Sequence, residues 1–147
     1  MSDLPGQPRD HMDALLRLLL PHGRRSISTF GTVTPLGASM GPDGEVVTVS
    51  GAAPEDEATP DDVLRSIYAE LRLVAEASEL LAIGVVSDVT LNEGAWPDGL
   101  RVELEHRDAD PITVVLPYGR SDEGPEWKDP VTMTGVRRTW DQPAGAT

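Results

Sequence analysis

Across "GLRVELEHRDADPITVVLPYG", Gly99 to Gly119, apolar side chains occupy every second position on both sides of a short polar turn. A period of two belongs to the β-strand, in which neighbouring side chains point to opposite faces. Leu100, Val102, Leu104 and His106 therefore share a face, opposed to Arg101, Glu103 and Glu105. Ile112, Val114, Leu116 and Tyr118 likewise oppose Thr113, Val115 and Pro117. Pairing across "RDADP" sets His106 opposite Ile112, Leu104 opposite Val114, Val102 opposite Leu116 and Leu100 opposite Tyr118, so that every inward residue is matched. A slip of one residue would turn the whole apolar set outward, and the segment is committed to an antiparallel sheet.

The remaining elements are read around this hairpin. Met12, Leu15, Leu16 and Leu19 recur at helical spacing, and Pro21 and Gly23 then punctuate the chain, which predicts a first helix over residues 9–20. β-Branched residues and Phe30 from Ser26 to Met40, the turn "GPDG" and the run "EVVTVS" predict a β-hairpin. Thr59 is a favourable N-cap, Pro60 suits the first helical position, and Asp62 completes a capping box, so a second helix is expected over 60–79. Its stripe is Leu64, Ile67, Tyr68, Leu71, Val74 and Ala75, with Arg65, Arg72 and Glu76 opposite. In "LLAIGVVSDVTLN" the alternation assigns Leu81, Ile83, Val85, Val89 and Leu91 to one side and Asp88, Thr90 and Asn92 to the other.

These elements predict an α+β fold in the order α-ββ-α-βββ: a two-layer arrangement with a largely antiparallel sheet and the helices packed on one face. Residues 1–8 are expected to be a flexible N-terminus, 9–119 one domain, and 120–147 a partly ordered C-terminal extension with an edge strand. A chain of 147 residues suits one core. It has no cysteine, which removes disulfides and thiolate chemistry.

Net charge excludes further classes. At −13 the chain opposes polyanions, so neither nucleic acid nor an anionic membrane is expected as a partner. "ALLRLLL" is shorter than a bilayer span and follows an acidic rather than basic stretch, so a cytoplasmic location is expected. The acids of "GAAPEDEATPDD" are read as a solvated loop running into the second helix.

Two motifs invite a catalytic reading. "GASMG", Gly37 to Gly41, satisfies the G-x-S-x-G nucleophile-elbow pattern at Ser39, but that pattern acts only where a strand turns into a helix, and here a turn and a strand follow. His106 has carboxylates nearby, yet alternation sends Glu105 to the other face and Asp108 and Asp110 fall in the turn. The three histidines lack metal-ligand spacing. No catalytic set, metal site or cofactor is expected.

Taken in order, "FGTVTPLGASMGPDGEVVTVSG", "GVVSDVTL", "GLRVELEHRDADPITVVLPY" and "GPEWKDPVTM" resemble a family of small bacterial proteins. That family's pattern joins a Pro-Leu/Phe-Gly strand, a D-G turn, a helix and a Leu-Glu-His…Pro-Tyr hairpin. The resemblance covers roughly residues 24–135 and implies a small α+β domain without an assigned activity.

The expected function is protein–protein interaction by an acidic accessory or regulatory protein, through an exposed sheet face, the acidic loop or the Trp-bearing segments. In the register inferred for the earlier strand, Asp88 lies opposite Glu103 with Arg101 diagonal to Asp88; with Thr90, Asn92, Glu105 and Thr113 they make an exposed polar, acidic sheet face. Trp96, in the polar loop "NEGAWPDG", and Trp127 are candidate interface anchors. Self-association along a sheet edge is a further expectation. The alternative is a small-molecule binder or small enzyme with a pocket between the second helix and the sheet, lined by Phe30, Tyr68, His106 and Tyr118.

Overall fold

The structure, a computed structural model, describes residues 8–50, 59–91 and 98–140. Trp96, Asn92, the acids Glu55, Asp56 and Glu57, and both chain ends lie outside the described residues. Two helices, α1 (Pro8–Phe30) and α2 (Pro60–Ala77), accompany seven strands: β1 (Leu36–Met40), β2 (Val46–Val49), β3 (Ala82–Thr90), β4 (Asp98–His106), β5 (Ala109–Ser121), β6 (Gly124–Trp127) and β7 (Val131–Thr134). The expected α+β class and the order α-ββ-α-βββ are observed, with two short strands added in the C-terminal segment. The sheet is antiparallel throughout, in the order β2-β1-β3-β4-β5-β6, and β7 pairs with the other half of the edge of β5. Among the described residues no helix is long and apolar enough to cross a membrane.

The helices take opposite faces of the sheet, not the same one. Neighbouring residues of one strand reveal the division: a side chain at Gly37 would meet Ile67 and Leu71 of α2, whereas Ala38 belongs to the core that α1 covers. In β3, Ile83 and Val85 pack with α2, while Gly84 seats Leu19 of α1 and Val86 joins the same cluster. The parity of each strand was legible, but the faces of β3 and β4 were joined wrongly. Pairing runs Val85 to Glu103 and Val86 to Val102, so the odd-numbered apolar set of β3 faces away from Leu100, Val102 and Leu104. β3 is buried on both sides from Ala82 to Ser87, as its nearly continuous apolar run permits.

Helix α1 runs ten residues past its expected end at residue 20. Proline inside a helix removes one N–H and crowds the carbonyl four residues earlier, a penalty of about 3 kcal/mol. Burial offsets it: Gly23, Ser26 and Ile27 of the extra turns are all buried, Gly23 directly against Leu100 and Val86. The helix ends where the Ser26 hydroxyl donates to Thr32 O and accepts from the Thr34 N–H, and the expected strand begins only at Leu36. Helix α2 starts as expected, with the reciprocal Thr59–Asp62 capping box and Pro60 in the first turn.

The β4–β5 hairpin keeps its matched apolar face but sits two residues from the expected register. Leu104 pairs with Ile112, Val102 with Val114 and Leu100 with Leu116, while Tyr118 faces Asp98. The cause is a tighter turn. Only Arg107 and Asp108 lie between the paired His106 and Ala109, and the surplus is absorbed by an irregularity opposite Glu105 that takes in Asp110 and Pro111. A proline, which has no N–H for the ladder, suits such a bulge.

Gly37 sets how closely α2 can approach the sheet. A Cβ there would lie 2.6 Å from Ile67 Cγ2. Gly37→Ala is expected to lift α2 and cost about 1–3 kcal/mol. Urea unfolding followed by far-UV circular dichroism checks this.

Candidate functional site: a cleft beside helix α2

Helical periodicity gives α2 one stripe on the sheet and two flanks. Ile67 and Leu71 are fully buried beneath it. On the flank toward β2, Ser66, Glu70, Val74 and Ser78 border an open groove of about 790 Å³ whose other wall is Ser39, Val47, Thr48 and Val49. On the flank toward β4, Asp61, Leu64, Arg65, Tyr68 and Arg72 face Arg101, Glu103 and Arg138 across a cleft of about 280 Å³. No histidine borders either space.

The smaller cleft has a built polar floor. The Tyr68 hydroxyl donates to Glu103 Oε1 at 2.7 Å, and Arg138 Nε donates to Glu103 Oε2 at 2.8 Å. Arg101 approaches Glu103 at 3.8 Å and donates weakly to the Ser87 hydroxyl at 3.4 Å. The Arg138 guanidinium also lies 5.5 Å from the centre of the Tyr68 ring. Burial, reinforced by the Glu103 charge, pushes the Tyr68 phenol far above its ordinary value, so it stays protonated. The hydrogen bond from Arg138 to Glu103 raises the arginine further. With Tyr68 and Arg138 both held in their protonated forms, the floor is suited to holding a ligand rather than to acid–base chemistry.

Residues 135–140 form the outer wall by folding back across β4 and β5. Gly135 N–H donates to Pro111 O, and Arg137 donates to His106 O and Ala109 O. Three successive amides, those of Arg138, Thr139 and Trp140, then close on the Glu105 carboxylate at 2.9–3.1 Å. Arg72 Nε donates to Arg138 O and ties this strap to α2. Successive backbone N–H groups form a natural cradle for an anion, and here the anion is the chain's own side chain.

The strap corrects the expectation of an exposed acidic sheet face. Glu103, Glu105 and Thr113 are buried. Asp88 pairs with Leu100, not Glu103, and lies with Thr90 on the face of α1, so the proposed set is divided by the sheet. Asp88 accepts the Tyr118 hydroxyl at 3.2 Å. Trp127 is half-buried, 5.2 Å from the Tyr118 ring and beneath Arg24. Of the four pocket-lining candidates, Tyr68 borders the smaller cleft, and Phe30, His106 and Tyr118 border neither of these two spaces. Phe30 ends α1 exposed, and Tyr118 and His106 are buried on the opposite side. The structure thus joins Arg101 and Glu103, from one expected set, with Tyr68 from the other. Arg65, Arg72 and Arg138 were missed. Arg65, Tyr68 and Arg72 do share a helix flank at i, i+3 and i+7, a signal the sequence carries; the return of Arg138 has no local signature.

His106 belongs to a second polar pair. Its Nδ1 accepts the Asp108 N–H at 3.0 Å, so in the neutral ring Nε2 carries the proton and donates to His11 Nδ1 at 3.1 Å. Ring centres 5.3 Å apart and planes 17° from parallel fit a head-on imidazole–imidazole hydrogen bond rather than two lone pairs converging on a metal. No cluster of three or more candidate metal ligands occurs among the described residues. Ser39 lies on β1, followed by a turn and β2, so the structural context of a nucleophile elbow is absent.

Burial first, then the neighbouring His11, lowers the His106 pKa below its ordinary value of 6.5. The unfolded chain then takes up a proton more readily than the folded one, so stability should fall as pH drops through about 6.5 toward the folded value. Asp88, raised chiefly by burial, acts in the opposite sense but in the lower carboxylate range. Urea midpoints measured from neutral to mildly acidic pH should decline in the parent and decline less in His106→Asn. Equal slopes would refute the assignment.

The chain matches no family model, no curated protein and no solved structure. Its functional reading therefore rests on this geometry.

Proposed function

We propose that the protein is a small-molecule-binding protein whose ligand sits between α2 and the sheet. One observation carries the reading: two buried polar groups, the Tyr68 hydroxyl and the Glu103 carboxylate, converge with the half-buried Arg101 and the more exposed Arg138 on a cleft at that junction. Ligand sites combine concave walls with a few fixed polar groups of this kind. Protonated Tyr68 and permanently charged arginines support recognition more than turnover. The test is chemical-shift mapping of a small-molecule fragment library on the intact chain. Saturable shifts confined to 61–72, 101–103 and 138 are expected; no saturable shift in these residues would overturn the reading.

A second reading, interaction with another protein, is favoured by the edge strand β2. Val46 and Val47 are exposed there, and the outer backbone edge of β2 is unpaired among the described residues. Exposed apolar edges of this type promote strand pairing with another chain. Self-association is the form this reading takes, since "VVTV" can face its own antiparallel copy without opposing like charges. Sedimentation across a concentration series should then give a mass that rises in the parent and not in Val47→Lys. A monomer at every concentration removes self-association.

A further inference from the structure

We propose that the cleft between α2, β4 and Arg138 of the 135–140 strap binds a small dianion, the phosphate monoester group of a metabolite. The proposal rests on the small-molecule reading and names the chemistry of that site.

Charge placement is the first argument. In a chain of net charge −13 with twelve Lys and Arg in all, four arginines border one space of about 280 Å³ together with two carboxylates, Asp61 and Glu103, while Asp62 beside Arg65 and Glu105 beneath the strap lie just outside its lining. The lining itself thus carries more cationic than anionic groups, with Asp62 and Glu105 answering part of that charge from behind it. Arginines gathered in this way on an acidic chain suit an anionic ligand.

Unfilled donor capacity is the second. A guanidinium offers five N–H donors in a fixed planar fork. Among the described residues, Arg72 uses only Nε, on Arg138 O, and the Arg138 side chain uses only Nε, on Glu103. Arg65 makes one weak contact with Asp62 at 3.5 Å. Arg101 Nε is buried and has no hydrogen-bond partner, its nearest carboxylate oxygen lying 3.8 Å away. Glu103, by contrast, is already held by Tyr68 and Arg138, so its charge is answered within the floor.

Arginine forks suit tetrahedral and planar oxyanions, to which they bind bidentately. The limited volume selects a single such group, with the rest of the ligand extending past Arg65 toward solvent. Arg65 and Arg72 lie at the mouth and Arg101 and Arg138 deeper, an arrangement able to receive oxygens from opposite sides.

The test is titration of the intact chain with glycerol phosphate, inorganic phosphate, succinate and glycerol, followed by amide chemical shifts. Saturable binding of glycerol phosphate at 64–72, 101–103 and 138 is expected, weakening at high salt. Binding should strengthen as pH rises through about 6, where a phosphate monoester gains its second charge. Arg65→Gln should weaken it about threefold or more, with an unchanged unfolding midpoint, because the exposed Arg65 side chain makes only one weak contact, with Asp62. Succinate binding as tightly would widen the ligand to dianions in general and overturn the phosphate assignment. Shifts from uncharged fragments but not from phosphates would overturn the dianion and leave the small-molecule reading standing. Silence of the cleft to every probe would overturn both. Unsaturable shifts scattered over exposed arginines such as Arg9 and Arg107 would likewise reject the proposal.

Discussion

Glu105→Ala should destabilise the fold by about 3 kcal/mol, lowering the melting temperature by about 6–12 °C. The carboxylate is 2% exposed and is bound by three consecutive amides of the strap. Hydrogen bonds to a charged group contribute about 1.5–3 kcal/mol each, but the freed strap regains water contacts and chain entropy, so the net is smaller than the sum. In a chain ending at Gly135 the amides are gone, and Glu105→Ala should then change stability by less than about 1 kcal/mol. Equal effects in full-length and shortened chains, measured by urea unfolding, would mean that Glu105 stabilises the fold by some route other than the strap.

The second large effect lies on the other face. Leu19→Ala should cost about 3–4 kcal/mol, within the range for emptying a fully buried leucine site. Leu19 fills the space above Gly84: a Cβ at Gly84 would lie 2.8 Å from Leu19 Cδ1 and 3.0 Å from Leu104 Cδ2. Gly84→Ala alone should therefore also destabilise, by about 1–3 kcal/mol. Combined, the new methyl enters the volume that Leu19 vacated, and the double variant should be at least about 1 kcal/mol more stable than the sum of the single effects predicts. Strict additivity would show that α1 does not rest on Gly84.

The contrast between these two sites shows what a sequence conveys. Side-chain parity in β4 and β5 was readable because both strands alternate apolar and polar residues and the sheet buries one set strongly. Their register was not, because Pro111 could be accommodated either in a five-residue loop or as a bulge beyond a two-residue turn, and local pattern does not distinguish them. The length of α1 was hidden by Pro21 and Gly23, whose breaking tendency is overridden by packing on Val86 and Leu100. The two-sided sheet did leave a trace. "LLAIGVV" is apolar without alternation, the composition of a strand covered on both faces. The cleft was half legible. Tyr68, Arg101 and Glu103 were candidates for different reasons, but what unites them is a strap arriving from more than thirty residues downstream, and contacts at that separation have no local signal.

The same strap bears on how the chain is made. Synthesis delivers β4 well before residues 138–140, so a nascent chain exposes Glu103 and Glu105 on an unfinished sheet until those residues leave the ribosome. Docking of the strap amides onto Glu105 would then be a late step, closing the arginine-lined wall only after the rest of the sheet has formed.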